Sequence, residues 1–162
     1  DWKCRLKSKR CVETKKSGGR CNRYTVIGTD VCWQHLLYEH NLKIKKMRHG
    51  LGLFAWKKDT KEVLRQGRRR QVLFRKGEIL MGYGGEERTE ERMQFLYGDN
   101  AAPYALEESD DLTIDAACNR TVGALANHGN NKQANTRFTK TPPTRIKATK
   151  NIKEGDEIII NY

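Results

Sequence analysis

Four of the five cysteines in this chain, Cys4, Cys11, Cys21 and Cys32, fall within the first 32 residues, and His35 follows shortly after. A cluster of this kind beside a histidine favours a metal site over a disulfide framework, and an odd cysteine total fits paired bridges poorly. The pattern runs Cys11, nine residues, Cys21, ten residues, Cys32, two residues, His35. If Cys32 and His35 open a helix, they lie three apart on one face and can share an ion. Three thiolates and a neutral imidazole suit tetrahedral zinc, and four protein ligands leave no open position, which makes the role structural. A segment this polar folds poorly without such a staple. Cys4 is a fifth candidate that can replace one of the four. The competing reading is a set of free, buried thiols.

The formal net charge is +12. Basic residues concentrate in 3–48 and in 57–76, where Arg65, Arg68, Arg69, Arg70, Arg75 and Lys76 stand close together, while 86–115 is acidic. That asymmetry fits a partner of opposite sign, such as DNA, a nucleosome or an acidic protein, as well as a plain solvated surface. A 36% hydrophobic fraction permits one modest core. No apolar run approaches the roughly 20 residues needed to span a bilayer, and no basic-then-apolar signal segment opens the chain. The first residue is Asp1 rather than Met, so a natural chain with more ahead of it stays open.

Trp33, Leu36, Leu37, Ile44 and Met47 fall near helical spacing, which predicts a helix over 33–47 with Gly50 as its stop. This helix would connect a cysteine-rich module, 1–48, to a second domain, 49–162. Beyond Gly50 the pattern changes to short strands, expected at 53–56, 71–74, 78–83, 112–115, 144–149 and 157–161. Gly84-Gly85, Pro142-Pro143 and Gly155-Asp156 punctuate them, and 127–131 around Gly129 reads as a loop. One helix interrupts the strands at 90–97, with Glu90 and Glu91 in its first turn and Gly98 after its end. The class this predicts is α+β, mainly β.

Four segments, in order, resemble the SET-domain family of protein-lysine methyltransferases. His49-Gly50-Leu51-Gly52-Leu53-Phe54-Ala55 is similar to its opening glycine motif. The segment from Glu78 through Tyr83-Gly84-Gly85-Glu86 is similar to its strand ending in Tyr-x-Gly-Glu. Gly123-Ala124-Leu125-Ala126-Asn127-His128, followed by Asn135, resembles its Asn-His segment, and Gly155-Asp156-Glu157-Ile158-Ile159-Ile160-Asn161-Tyr162 its Gly-Glu-Glu-Leu ending. The resemblance spans about two-thirds of the chain, 48–162. It implies a SET-type fold of short twisted strands with a knot-like C-terminal crossing. It also implies S-adenosylmethionine as cofactor, with Gly50, Leu51, Gly52, Tyr83, Asn127, His128 and Tyr162 around it. Glycines let backbone approach a ligand closely, Asn can serve backbone and ligand at once, and the His128 side chain is expected to be packed and hydrogen-bonded.

The resemblance assigns the chemistry to Tyr162, beside the methyl group, and Tyr83, near the amine. Only a neutral lysine is a nucleophile, and a dry channel lowers its pKa from about 10.4. Tyrosine hydroxyls can then aim its lone pair. Apart from the motifs, both read as ordinary strand tyrosines. The sequence departs from the family at Ala124-Leu125-Ala126, where Arg-Phe-Ile is usual, at Gly129 for Ser, and at Ala134 for Pro. Ile160 stands where many members carry a Phe or Tyr that helps limit how many methyls fit, so the resemblance implies no particular methylation state. No residue follows Tyr162, so the expectation is that either the chain is truncated there or a partner or a second copy in a homodimer completes the lysine channel. The acidic stretch 107–111 is a candidate rim for a basic peptide. Histones are candidate substrates, which implies a nuclear location. The rival reading is a zinc-dependent chromatin- or nucleic-acid-binding protein with an inactive SET-like scaffold.

Overall fold

The computed structural model describes residues 6, 8–26 and 28–162; Cys4 lies outside the described residues. Helix α1 (Trp33–His40) begins where the Cys32 side chain accepts the amide of His35, as the Cys-x-x-His spacing requires. It ends eight residues later at Asn41, whose φ of 53° is left-handed and whose amide donates to the Leu36 carbonyl. Asn tolerates that conformation better than most side chains. The expectation of a helix over 33–47 is therefore corrected: its second half is strand β1 (Leu42–Met47), antiparallel to β2 (Gly50–Ala55), with Leu42 opposite Ala55 and Met47 opposite Gly50. Leu42 and Ile44 alternate with Lys43 and Lys45, so the same residues carry a period of two. Gly50 opens a strand rather than stopping a helix.

After β2 come α2 (Thr60–Arg65), β3 (Val72–Phe74), β4 (Ile79–Gly82), β5 (Glu86–Arg88) and α3 (Glu90–Tyr97). Then follow β6 (Ala105–Ser109), β7 (Leu112–Asp115), a 3-10 turn (Val122–Leu125), β8 (Asn127–His128), β9 (Thr136–Phe138), β10 (Arg145–Ala148), β11 (Ile152–Lys153) and β12 (Ile159–Ile160). The architecture is α+β and mainly β, as expected. Helix α3 keeps its expected bounds because its ends are written locally: the Thr89 hydroxyl accepts the Arg92 amide and Gly98 ends the helix. Helix α2 was not foreseen. Thr60, fully buried, donates to the buried Glu154 carboxylate 94 positions away, and that carboxylate also accepts the Gln71 amide.

The central sheet has the order β4-β10-β9-β12-β8. Strand β12 lies between β8 and β9, parallel to both, although those two precede it in the chain and are joined by 129–135. The end of the chain is thereby threaded between the two strands of an earlier connection, which is the knot-like crossing. Asn135 locks it: its amide group donates to the Glu157 carbonyl (2.7 Å) and its side-chain oxygen accepts the Ile159 amide (2.9 Å). Leu42, Leu53, Ile146, Ile152, Ile158 and Ile160 are essentially inaccessible to solvent; each such burial contributes about 1.5–3 kcal/mol. Cys11, Cys32 and Leu36 belong to the same continuous core, so the cysteine-rich segment packs onto the sheet domain directly. Among the described residues, no helix is long and apolar enough to cross a membrane.

The three-stranded sheet β5-β7-β6 carries a polar anchor. The Asp115 carboxylate, 2% exposed, accepts Arg88 Nε at 2.8 Å and the Tyr97 hydroxyl at 3.1 Å. Burial, and then the Asp115 charge, push the Tyr97 phenol up to about 12; in an unfolded chain it titrates near about 10. The folded state favours the protonated phenol, so this stabilisation is complete below about pH 10 and is lost as pH rises towards 12. Thermal melts across that window are expected to show a steeper alkaline loss for the wild type than for Tyr97→Phe. Equal slopes would show that the phenol does not contribute.

Candidate active site

Three motifs that lie far apart in sequence meet around one cavity of about 640 Å³. Gly50 and Leu51 reach it from β2, Asn127 and His128 from β8, and Tyr162 from the end that follows β12. The crossing makes this meeting obligatory, because β12 pairs with β8 and thereby sets Tyr162 beside His128. The Tyr162 amide donates to His128 Nδ1 at 3.1 Å, so the imidazole is hydrogen-bonded, and the two rings lie 5.6 Å apart. The Tyr162 hydroxyl donates to the Ala126 carbonyl at 3.1 Å. Asn127 ties the motifs together: its amide group donates to the Leu51 carbonyl (3.2 Å) and to Glu157 Oε1 (2.8 Å).

The other two candidates are placed differently. Gly52 does not line the cavity. A side chain there would meet Glu157 Oε1 at 3.0 Å and the rings and stems of Phe54 and Met47 at 3.1 Å, so its bareness serves packing between β2 and the C-terminal motif. Tyr83 also lies off the cavity lining, 3% exposed, with its hydroxyl donating to the Tyr104 carbonyl at 2.9 Å. It joins Tyr162 through Phe138: the Tyr83 and Phe138 rings meet edge to face at 5.2 Å, and the Phe138 and Tyr162 rings are 5.4 Å apart. Burial pushes both phenols up, Tyr83 strongly; the Tyr162 and Tyr104 charges add to the effect on Tyr83 and Arg120 opposes it, while Tyr104 adds to that on Tyr162. Both hydroxyls are therefore neutral donors throughout the physiological range.

Three residues of this region carried no expected role from sequence. Phe138 bridges the tyrosines. Tyr104 lines the cavity with a φ of 60°, and its carbonyl accepts both the Tyr83 hydroxyl and the Ala116 amide. Arg120 lines the cavity while only 8% exposed. It is the single charged residue between Asp115 and His128, and that isolation in a run of small residues is a signal the sequence did contain.

The expected metal ligands converge in turn. One donor atom from each of Cys11, Cys21, Cys32 and His35 falls within 4.8 Å of the other three. His35 Nδ1 lies 3.6 Å from Cys11 Sγ and 3.3 Å from Cys32 Sγ. The edge of a tetrahedron built from ordinary zinc–sulfur and zinc–nitrogen bonds is about 3.6 Å, so the donor set fits such an ion. Backbone amides of Cys32, Arg23 and His35 donate to the sulfurs of Cys11, Cys21 and Cys32 respectively, which is the support thiolates need. The Arg23 amide holds the Cys21 thiol below its ordinary range, while burial raises that of Cys11.

The SET-domain profile matches residues 39–162. The chain belongs to the SET-domain family. This is a family of S-adenosylmethionine-dependent lysine methyltransferases. Among curated protein sequences, none matches. Solved SET-domain structures include that of the Chaetomium thermophilum polycomb repressive complex 2, with a TM-score of 0.52 at 22% identity over 75% of this chain. A second structure of that complex, in an autoinhibited conformation bound to S-adenosylmethionine, gives 0.53 at 24% over 76%. A third, in complex with H3K27me3 and H3K27M, gives 0.54 at 21% over 75%. The likeness is one of fold. This SET-domain chain spans only about 14–15% of the length of the chains it matches.

Proposed function

We propose that this SET-domain protein transfers methyl groups from S-adenosylmethionine to protein lysines, with Tyr162 and Tyr83 as its catalytic tyrosines. The observation that carries this is the single cavity shared by Gly50-Leu51, Asn127-His128 and Tyr162. Its volume, about 640 Å³, suits a nucleoside-sized ligand. Its mix of backbone polar groups with Ala124, Leu125 and Ala126 matches one polar end and one flat apolar face. S-adenosylmethionine supplies the methyl group as a sulfonium when bound. The chain's own part is to bind, orient and exclude water. The Tyr83–Phe138–Tyr162 rings form an aromatic wall, buried at Tyr83 and half-exposed at Tyr162, that disfavours an ammonium and so favours the neutral lysine amine. The Tyr162 hydroxyl, held by the Ala126 carbonyl, fixes the geometry beside the cavity.

The Cys11, Cys21, Cys32 and His35 set holds zinc as a closed structural site in this reading. Acidic Glu107, Asp110 and Asp111 stand exposed near β6 and β7 and suit a basic peptide such as a histone tail. Glu108 instead accepts the amide and hydroxyl of Thr144. On the opposite sign, Arg69, Arg70 and Lys153 line an open groove that suits nucleosomal DNA. Incubating the chain with labelled S-adenosylmethionine and a histone and lysate panel, followed by mass spectrometry, is expected to place methyl groups on lysine. Cofactor binding without any transfer would favour an inert binding scaffold instead.

A further inference from the structure

We infer that Arg120 is the anion-recognition residue of the cavity and selects ligands that carry a carboxylate, a reading that rests on the cofactor assignment above. The guanidinium is 8% exposed, yet among the described residues it is ion-paired with no carboxylate, and its buried Nε has no hydrogen-bond partner. A buried cation left in that state is costly, and proteins keep one where something of opposite charge arrives. Among the residues lining the cavity, Arg120 is the one Lys or Arg, and neither Asp nor Glu faces it there. The cavity is therefore where a charge partner can reach the guanidinium.

The guanidinium is also held in position from both flanks. On one side its carbon sits 4.9 Å from the centre of the Tyr104 ring. Tyr104 is itself pinned, since its carbonyl accepts the Tyr83 hydroxyl and the Ala116 amide. On the other side, Gly28 of the cysteine-rich segment accepts the Arg120 amide and presents no side chain; a methyl there would stand 2.9 Å from Nε. The arginine of the Arg-Phe-Ile run usual before Asn-His is Ala124 here, and Ala124 lines the same cavity. A planar fork of donors fixed in this way suits bidentate capture of a carboxylate, which in the proposed cofactor is at the amino-acid end.

Calorimetric titration of the whole chain with S-adenosylhomocysteine and with its decarboxylated analogue separates the possibilities. Wild type is expected to prefer the carboxylate-bearing ligand. Arg120→Met should lose about ten- to a hundredfold in affinity for it, the cost of one charge-assisted contact, and change little for the analogue. Arg120→Lys should recover part of the loss. If Arg120→Met weakens both ligands equally, or neither, the inference is overturned while the cofactor reading stands. If wild type binds neither ligand, the cofactor reading itself is overturned and this inference goes with it. Thermal unfolding of each variant reads folding separately.

Discussion

Replacing Cys32 with alanine is expected to abolish the proposed metal binding and to lower the unfolding temperature of the whole chain, not of its first third alone. Cys32 is 0% exposed and contributes in three ways at once. Its sulfur is one of four converging donors, it caps α1 by accepting the His35 amide, and it packs in the same core as Ile146 and Ile160. Losing even an outer partner of a metal ligand can cost about a hundredfold in affinity, so losing the ligand itself should cost more. A loss of only about 3 kcal/mol lowers the midpoint of a chain this size by roughly 6–12 °C. Cys32→Ser discriminates among the three contributions, because serine caps a helix well but is a poor zinc ligand. The serine variant is therefore expected to behave like the alanine one, and chelation of the wild type to reproduce both. Elemental analysis that found a folded wild type free of metal, or a serine variant as stable as wild type, would reject the metal site.

What could be read in advance divides according to how local the cause is. The Cys32-x-x-His35 pair and the ends of α3 are short-range patterns, and both stand as expected. Residues 42–47 carried two periods at once. A left-handed Asn41 and a pairing partner beyond the Arg48-His49 turn decided for the strand, and neither belongs to the helical pattern. Helix α2 is too short to signal itself, and Glu154, fixed by a distant strand, is what holds Thr60 in place.

The candidate site shows the same division. Gly50, Leu51, Asn127, His128 and Tyr162 sit in ordered motifs, and the cavity unites them. Gly52 belongs to the same motif as Gly50, but Glu157, Met47 and Phe54 crowd the space a side chain would take there, so it serves packing rather than the cavity. Phe138, Tyr104 and Arg120 reach the site only through the crossing, through an unusual backbone angle and through contact with Gly28, so no window of sequence around them describes their role.

Tyr162→Phe is expected to leave the fold intact and to slow methyl transfer by about a hundred- to a thousandfold, the usual cost of removing one fixed donor from a reacting centre. The side chain is 52% exposed and follows the last strand, so little packing depends on its hydroxyl. What that hydroxyl does have is direction: it points at the Ala126 carbonyl, one residue before the Asn127-His128 pair on the cavity wall. The ring stays in place in the variant through Phe138 and His128, so orientation is lost without loss of shape. The effect should therefore fall on kcat, with cofactor affinity nearly unchanged. Tyr83→Phe is a distinct case, because it leaves the Tyr104 carbonyl without its hydroxyl partner in a buried position and should cost stability as well. The pH profile supplies an independent check. The rate should climb with pH as the substrate lysine loses its proton, from a pKa lowered below about 10.4 by the aromatic wall. Burial holds the Tyr162 phenol above its ordinary value, so no descending limb from tyrosinate formation should appear below about pH 10. A variant with wild-type kcat would remove Tyr162 from the mechanism, and a descending limb near neutrality would show that a group other than this phenol carries the titration.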